Sequence, residues 1–124
     1  ITESEESLGI NNYIDIYKND VYEQVCETFK SFKVRIIRGM IPETLKECKA
    51  EKICYLSIDM NVVAPEIAAA NFFWDKLVSG GVMILDDDGF PAHIEQKIAF
   101  DKFAAEKGVQ ILYLPTAQGI IFKP

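Results

Sequence analysis

The sequence predicts an α/β fold, with a mostly parallel sheet that closes in an antiparallel hairpin. Two nearly continuous apolar runs, 53–58 and 82–85, are typical of buried parallel strands. Between them, apolar residues recur at helical spacing and indicate a crossover helix. Near the end of the chain, strands at 109–114 and 120–122 are joined by a turn too short for a parallel crossover, so they must be antiparallel.

The first part of the chain predicts a helix, a short strand and a second, shorter helix. Apolar residues at positions i, i+3, i+4 and i+7 indicate a helix from about Asn19 to Phe32. Val34, Ile36 and Ile37 predict a short strand over 34–38 that ends at Gly39. The stretch 40–48 predicts a turn and a short helix with Pro42 near its start.

Two longer helices are predicted in the second half of the chain. The crossover helix has Pro65 near its first turn, and we expect it to end just before the pair Gly80-Gly81. Its apolar face comprises Ile67, Ala70, Trp74 and Leu77. The last helix opens at Pro91 and closes at Gly108.

Composition narrows the class of protein. A chain of 124 residues fits a single domain, 1–124, with one core. A net charge of −6 without a basic face argues against a nucleic-acid partner. No apolar run approaches the roughly 20 residues that cross a bilayer, so no membrane partner is expected. An odd number of cysteines, three, favours a reduced, cytoplasmic protein.

The chain begins with an acidic, serine-bearing stretch rather than an initiator methionine. Its first seven letters are ITESEES. This stretch predicts a surface loop, and we expect it to be entered from a segment upstream of Ile1.

Carboxylates follow both central strands at the point where each strand ends. Asp59 ends the first apolar run, and Asp86, Asp87 and Asp88 end the second. Because a right-handed crossover makes the strands parallel, these side chains should meet at the edge where open α/β sheets bind ligands. Asp59, Asp86 and Asp87 are therefore a candidate site for magnesium or calcium, which would relieve their mutual repulsion. The alternative is that they cap turns and helix starts, and Asp88 is interpreted as a turn residue.

Several segments carry a resemblance to a known family. They are GMIPETL at 39–45, SIDMN at 57–61, WDKLVSGG at 74–81, VMILDDDGF at 82–90 and the terminal IIFKP. In this order they resemble the C-terminal part of class I S-adenosylmethionine-dependent methyltransferases, and more narrowly the macrocin-type sugar O-methyltransferases. The resemblance covers about Val21 to Pro124.

The resemblance implies a Rossmann-like fold, here without its first two strands, and magnesium-assisted methyl transfer. The methyl group would pass from S-adenosylmethionine to a sugar or other small-molecule hydroxyl. Asp59, Asp86 and Asp87 would hold Mg²⁺, and Met40 and Ile41 would lie near the adenine of the cofactor. The glycine-rich turn that cradles the cofactor is not found in the chain. The fragment as given is therefore expected to be inactive.

Three other polar residues near the predicted site have more than one interpretation. Asn61 stands where the family often has a second acidic residue, and it could coordinate magnesium or bind substrate. His93 is either a general base or, more simply, a surface histidine at a helix start. Gln118 faces the pocket or only shapes the terminal turn. No catalytic residue is assigned.

Other functions and an assembly remain open on sequence alone. A magnesium-binding, receiver-like phosphoacceptor module also gathers Asp residues at strand ends, although its acidic pair and late lysine are not in the required places. A sugar-nucleotide transferase is a weaker alternative. Without two strands, the sheet would expose edges, which would be relieved by a homodimer or by the stretch 34–38 moving beside 53–58.

Overall fold

The computed structural model describes residues 20–124, and its elements confirm the α/β class with an antiparallel C-terminal hairpin. The helices are α1 (Tyr22–Phe29), α2 (Val63–Trp74) and α3 (Ile94–Lys107), with single 3₁₀ turns at Leu45–Glu47 and Pro91–His93. The strands are β1 (Ile53–Ile58), β2 (Leu77–Leu85), β3 (Leu112–Tyr113) and β4 (Gly119–Phe122). They form one sheet in the order β1-β2-β4-β3. None of the helices within 20–124 has the length and hydropathy needed to span a membrane.

The parallel part of the sheet is the pair β1–β2, connected by α2. Ile58 pairs with Leu85 at the carboxyl end of both strands. The amide of Asp86 then donates to the carbonyl of Ile58 at 3.1 Å. The residues that follow the two strands therefore start from neighbouring backbone positions, as a parallel βαβ unit requires.

The antiparallel part of the sheet brings the start of β4 to the same edge. β4 pairs antiparallel with both β2 and β3. Leu85, the last residue of β2, lies opposite Gly119, the first residue of β4. The turn before β4 therefore lies beside the loop after β2.

The core fills one face of the sheet. Leu56, Met83 and Ile121 lie in one row across three strands, and Met83 and Ile121 are fully buried. They pack with α2 and α3, where Trp74 and Phe103 make an edge-to-face contact with ring centroids 5.4 Å apart. Side chains that pair directly across strands share a face, so both helices cover the same side.

The opposite face of the sheet carries apolar side chains that stay accessible. Tyr55, Val82 and Phe122 form its central row, and Tyr55 and Phe122 are 62% and 55% exposed. The apolar run 53–58 predicted a buried parallel strand, with both faces covered, and this prediction is wrong for the face that carries Tyr55. Cys54 is exposed as well, and all three cysteines are free. β1 is an edge of the sheet within residues 20–124.

The strand predicted at 34–38 does not form. This stretch has irregular backbone, and Val34 is 52% exposed. Its amide donates back to the carbonyl of Phe32 at 2.9 Å. A strand needs a neighbour to take its hydrogen bonds, and none of the strands described in 20–124 lies beside this one. The preceding helix is also shorter than predicted, ending at Phe29, while its predicted start at Asn19 lies outside the described residues.

The glycine pair Gly80-Gly81 was wrongly interpreted as a helix end. α2 ends at Trp74, and Leu77 is already the first residue of β2. The glycines lie in an irregular part of β2, where the register shifts between the pairs of Ile53 and Tyr55. Gly80 has φ +78°, a conformation that glycine adopts without steric cost. The last helix ends at Gly108 as predicted, and the strand expected at 109–114 shortens to Leu112–Tyr113.

Candidate metal centre

Three carboxylates meet at the carboxyl ends of β1 and β2. Asp59 follows β1 directly, and Asp86 and Asp87 follow β2. Each offers an oxygen atom, and these oxygens all lie within 4.8 Å of one another. Opposite ligands of an octahedral Mg²⁺ with bonds of about 2.1 Å are about 4.2 Å apart. A small closure of the three side chains would therefore suffice to hold one hard cation between them.

Within residues 20–124, the only ion-pair contact of this cluster is His93 Nε2, which lies 3.9 Å from Asp87 Oδ2. Among the ion pairs in residues 20–124, none joins Asp59, Asp86 or Asp87 to a lysine or arginine. Partial burial, and then the negative charges of Asp86 and Asp87, raise the pKa of Asp59. A divalent cation would offset both effects, because it replaces lost hydration and cancels the repulsion.

The loop that follows Asp59 is held by Glu66, a residue that the sequence analysis did not single out. Glu66 lies in the first turn of α2 and is 3% exposed. One carboxylate oxygen accepts from the amides of Met60 and Asn61 at 2.9 and 3.0 Å, and the other accepts from Gln96 at 2.7 Å. Burial raises the pKa of Glu66, and these hydrogen bonds oppose that rise.

Asn61 is part of this same loop, and its backbone amide is one of the two that Glu66 accepts from. Its backbone is left-handed, with φ +56°, which asparagine tolerates better than most residues. Glu66 thus fixes the backbone on which Asn61 sits, two residues after Asp59. An acidic residue in a first helical turn was the available signal for Glu66, since such residues bind free backbone amides.

Asp88 lies in a turn, as predicted, and this turn is closed by the amide of Phe90 donating to the carbonyl of Asp87 at 3.0 Å. Its carboxylate is also buried, which the sequence did not indicate. It is 2% exposed, and neither carboxylate oxygen accepts a hydrogen bond from the described residues. Burial raises the pKa of Asp88 to about 6, against an opposing effect from Lys97. Gly119 packs closely beside it, because a Cβ there would lie 2.9 Å from Ile111 Cγ2 and 3.0 Å from Asp88 Oδ2, so these side chains would have to shift.

His93 and Gln118 both lie against the carboxylates. His93 is 3% exposed, so the surface alternative is wrong, and its Nε2 is 3.9 Å from Asp87 Oδ2. Gln118 donates from Nε2 to Asp86 Oδ1 at 2.9 Å. Gln118 therefore faces the predicted site as well as taking part in the terminal turn.

A known protein family matches most of the chain. The sequence profile of the macrocin O-methyltransferase (TylF) family matches residues 5–113. The chain belongs to the macrocin O-methyltransferase family. This membership favours a methyltransferase over a receiver-like module. No curated protein sequence matches the chain significantly.

Two solved structures with the same fold are O-methyltransferases. The O-methyltransferase NovP is 13% identical with a TM-score of 0.72, over 99% of this chain and 52% of that chain. CalS11, a TDP-rhamnose 3′-O-methyltransferase of calicheamicin biosynthesis, is 20% identical with a TM-score of 0.57. That match covers 69% of this chain and 40% of CalS11. At these identities the likeness shows the fold alone. The chain spans about half the length of NovP and less than half the length of CalS11.

Met40 and Ile41, the residues expected near the cofactor in this family, lie before the first 3₁₀ turn. Met40 is 79% exposed and Ile41 is half-buried. An exposed methionine offers an apolar, polarisable surface suited to a flat base. Their role in cofactor binding stays a prediction.

Proposed function

We propose that this member of the macrocin O-methyltransferase family forms the metal- and acceptor-binding part of an S-adenosylmethionine-dependent, magnesium-assisted O-methyltransferase. The acceptor is a hydroxyl of a sugar or another small molecule. The observation that carries the proposal is the convergence of Asp59, Asp86 and Asp87 at the ligand-binding edge of the sheet. Family membership supports the reaction class.

The three aspartates supply oxygen ligands of the kind that Mg²⁺ prefers. Magnesium, when bound, acts as a Lewis acid that lowers the pKa of a coordinated hydroxyl. S-adenosylmethionine, when bound, supplies the methyl group. The task of this chain is then to orient the acceptor, and correct orientation alone contributes a large share of such rate enhancements.

The aspartates are suited to orientation because their supports are rigid. Asp86 and Asp59 extend from the paired ends of β1 and β2, and Glu66 fixes the backbone after Asp59 through two amide hydrogen bonds. Groups held by strands and buried hydrogen bonds lose little entropy when a ligand arrives. A cation held there would fix the acceptor hydroxyl relative to the sheet.

Cofactor binding needs more than these residues. We propose that Met40 and Ile41 contribute apolar contact to the adenine, and that the 124-residue chain alone binds S-adenosylmethionine too weakly to detect. A longer protein that includes the residues encoded upstream of Ile1 should bind S-adenosylmethionine with a Kd in the micromolar range, and a Kd of 1 μM corresponds to a binding free energy of about −8 kcal/mol. We also propose a cytoplasmic location, because three free cysteines suit a reducing compartment.

Methyl transfer from radiolabelled S-adenosylmethionine to nucleotide-linked sugars tests the proposal. The assay compares the 124-residue chain with the chain that carries its upstream region, with Mg²⁺ and with EDTA. We expect transfer only by the longer chain and only with Mg²⁺. Transfer that is equal in EDTA would contradict the magnesium role, and strong cofactor binding by the short chain would show that the cofactor pocket lies elsewhere.

A further inference from the structure

We infer that Gln118 is a positioning residue for Asp86, orienting its carboxylate so that one oxygen faces the cation. The inference rests on the proposed magnesium site. Gln118 Nε2 donates to Asp86 Oδ1 at 2.9 Å across the partly buried space between the terminal turn and the end of β2. A carboxylate only accepts, so the amide must present its nitrogen to Asp86.

The orientation of the Gln118 amide is itself fixed within the turn. The hydroxyl of Thr116 donates to Gln118 Oε1 at 3.2 Å. The backbone carbonyl of Gln118 accepts from the amide of Leu114 at 2.9 Å. Both the side-chain amide and the main chain of Gln118 are therefore held before any cation arrives.

The turn is also anchored to the loop that carries the ligands. The amide of Gly89 donates to the carbonyl of Ala117 at 2.7 Å, and Gly119 pairs with Leu85 in the sheet. Ala117, whose carbonyl accepts this hydrogen bond, has φ +68°, a strained conformation for alanine. The backbone that carries Gln118 is therefore held beside the loop that carries Asp86.

This contact has a specific consequence for a bound cation. One N–H occupies Asp86 Oδ1 and restrains side-chain rotation, which leaves Oδ2 available to the metal. Because the amide is neutral, it orients the carboxylate without cancelling the negative charge that attracts the cation, as a lysine would. Loss of such a supporting hydrogen bond typically costs about 10- to 100-fold in metal affinity.

Mn²⁺ titration of the metal-free 124-residue chain by calorimetry tests the inference. Gln118→Met keeps the length of the side chain and removes both the donor and the acceptor. Gln110→Met is the matched control, because Gln110 is exposed on the approach to β3. We expect Gln118→Met to weaken Mn²⁺ binding by about 10-fold or more and Gln110→Met to leave it unchanged.

Thermal unfolding in EDTA separates positioning from a purely structural role. A structural role would lower the unfolding midpoint of Gln118→Met and leave the Mn²⁺ affinity of the folded chain unchanged, which would overturn the inference. If Gln118→Met does not fold, Thr116→Val removes only the hydroxyl that orients the amide, and we expect a smaller loss of about 3-fold. Equal Mn²⁺ affinity in wild type and in every folded Gln118 or Thr116 variant would overturn the inference alone. Wild type that does not bind Mn²⁺ at all would overturn the proposed metal site and, with it, this inference.

Discussion

The buried carboxylate of Asp88 makes the stability of the protein depend on pH in a defined direction. Burial raises the pKa of Asp88 to about 6, from 3.8 in solution. A group with a raised pKa binds its proton more tightly in the folded state. The stabilisation from protonated Asp88 is therefore complete below about pH 4 and is lost as the pH rises through about 6.

The size of the effect follows from the shift in pKa. Each unit is worth 1.36 kcal/mol, so the contribution of Asp88 to the free energy of unfolding should fall by about 3 kcal/mol between about pH 4 and pH 7.5. Asp88→Asn removes the titration and leaves a neutral amide of similar size in the same space. Relative to wild type, the variant should gain about 3 kcal/mol of stability on going from the lower to the higher pH.

Urea denaturation at both pH values, in EDTA, measures this difference. Asp75→Asn is the matched control, because Asp75 is exposed at the opposite end of β2 from Asp86. The control should differ from wild type by the same amount at both pH values. If the difference between Asp88→Asn and wild type does not change with pH, the reasoning from burial to pKa is refuted.

Three further predictions concern the core, the α3–β3 contact and the open edge. Met83 is fully buried, so Met83→Ala should lower the free energy of unfolding by about 2–5 kcal/mol in urea denaturation. Phe122→Ala, on the accessible face, should lower it much less, and an equal loss in both variants would contradict the one-sided core. Tyr113 donates to Asp101 and accepts from Lys97, so Tyr113→Phe should lower the free energy of unfolding by about 1 kcal/mol. An unchanged free energy of unfolding would show that these hydrogen bonds do not stabilise the fold. We propose a homodimer through the β1 edge, where Cys54 is exposed. Sedimentation at micromolar concentration should show a dimer, and oxidation of Cys54 should trap it covalently. A monomer at this concentration would contradict the proposal.

The sequence predicted those parts of the fold that depend on local pattern. The apolar run before Asp59 and the run before Asp86 are set by hydrophobic burial, and a parallel crossover then brings their ends together. The glycines at 80 and 81 were misinterpreted because glycine marks both helix ends and strand irregularities. The stretch 34–38 has strand composition, but a strand forms only beside a partner.

The burial of two carboxylates at the candidate site could not be predicted from the sequence, although the place of Glu66 in the first turn of α2 was a local signal. Whether a carboxylate is buried is decided by residues distant in the chain. Glu66 is matched by Gln96 from α3, and Asp88 is enclosed partly by Gly119 at the start of β4. Neither contact leaves a local signature, and adjacent aspartates such as Asp87 and Asp88 cannot be separated by composition.

Titration of Mg²⁺ into the metal-free chain by calorimetry tests the central claim most directly. The three aspartates converge with no lysine or arginine paired to them in residues 20–124, so wild type should bind one divalent cation weakly, at about 1 mM or about −4 kcal/mol. Asp86→Asn combined with Asp87→Asn should abolish the binding heat, and Asp75→Asn should retain it. Equal heats in wild type and the double variant would contradict the account.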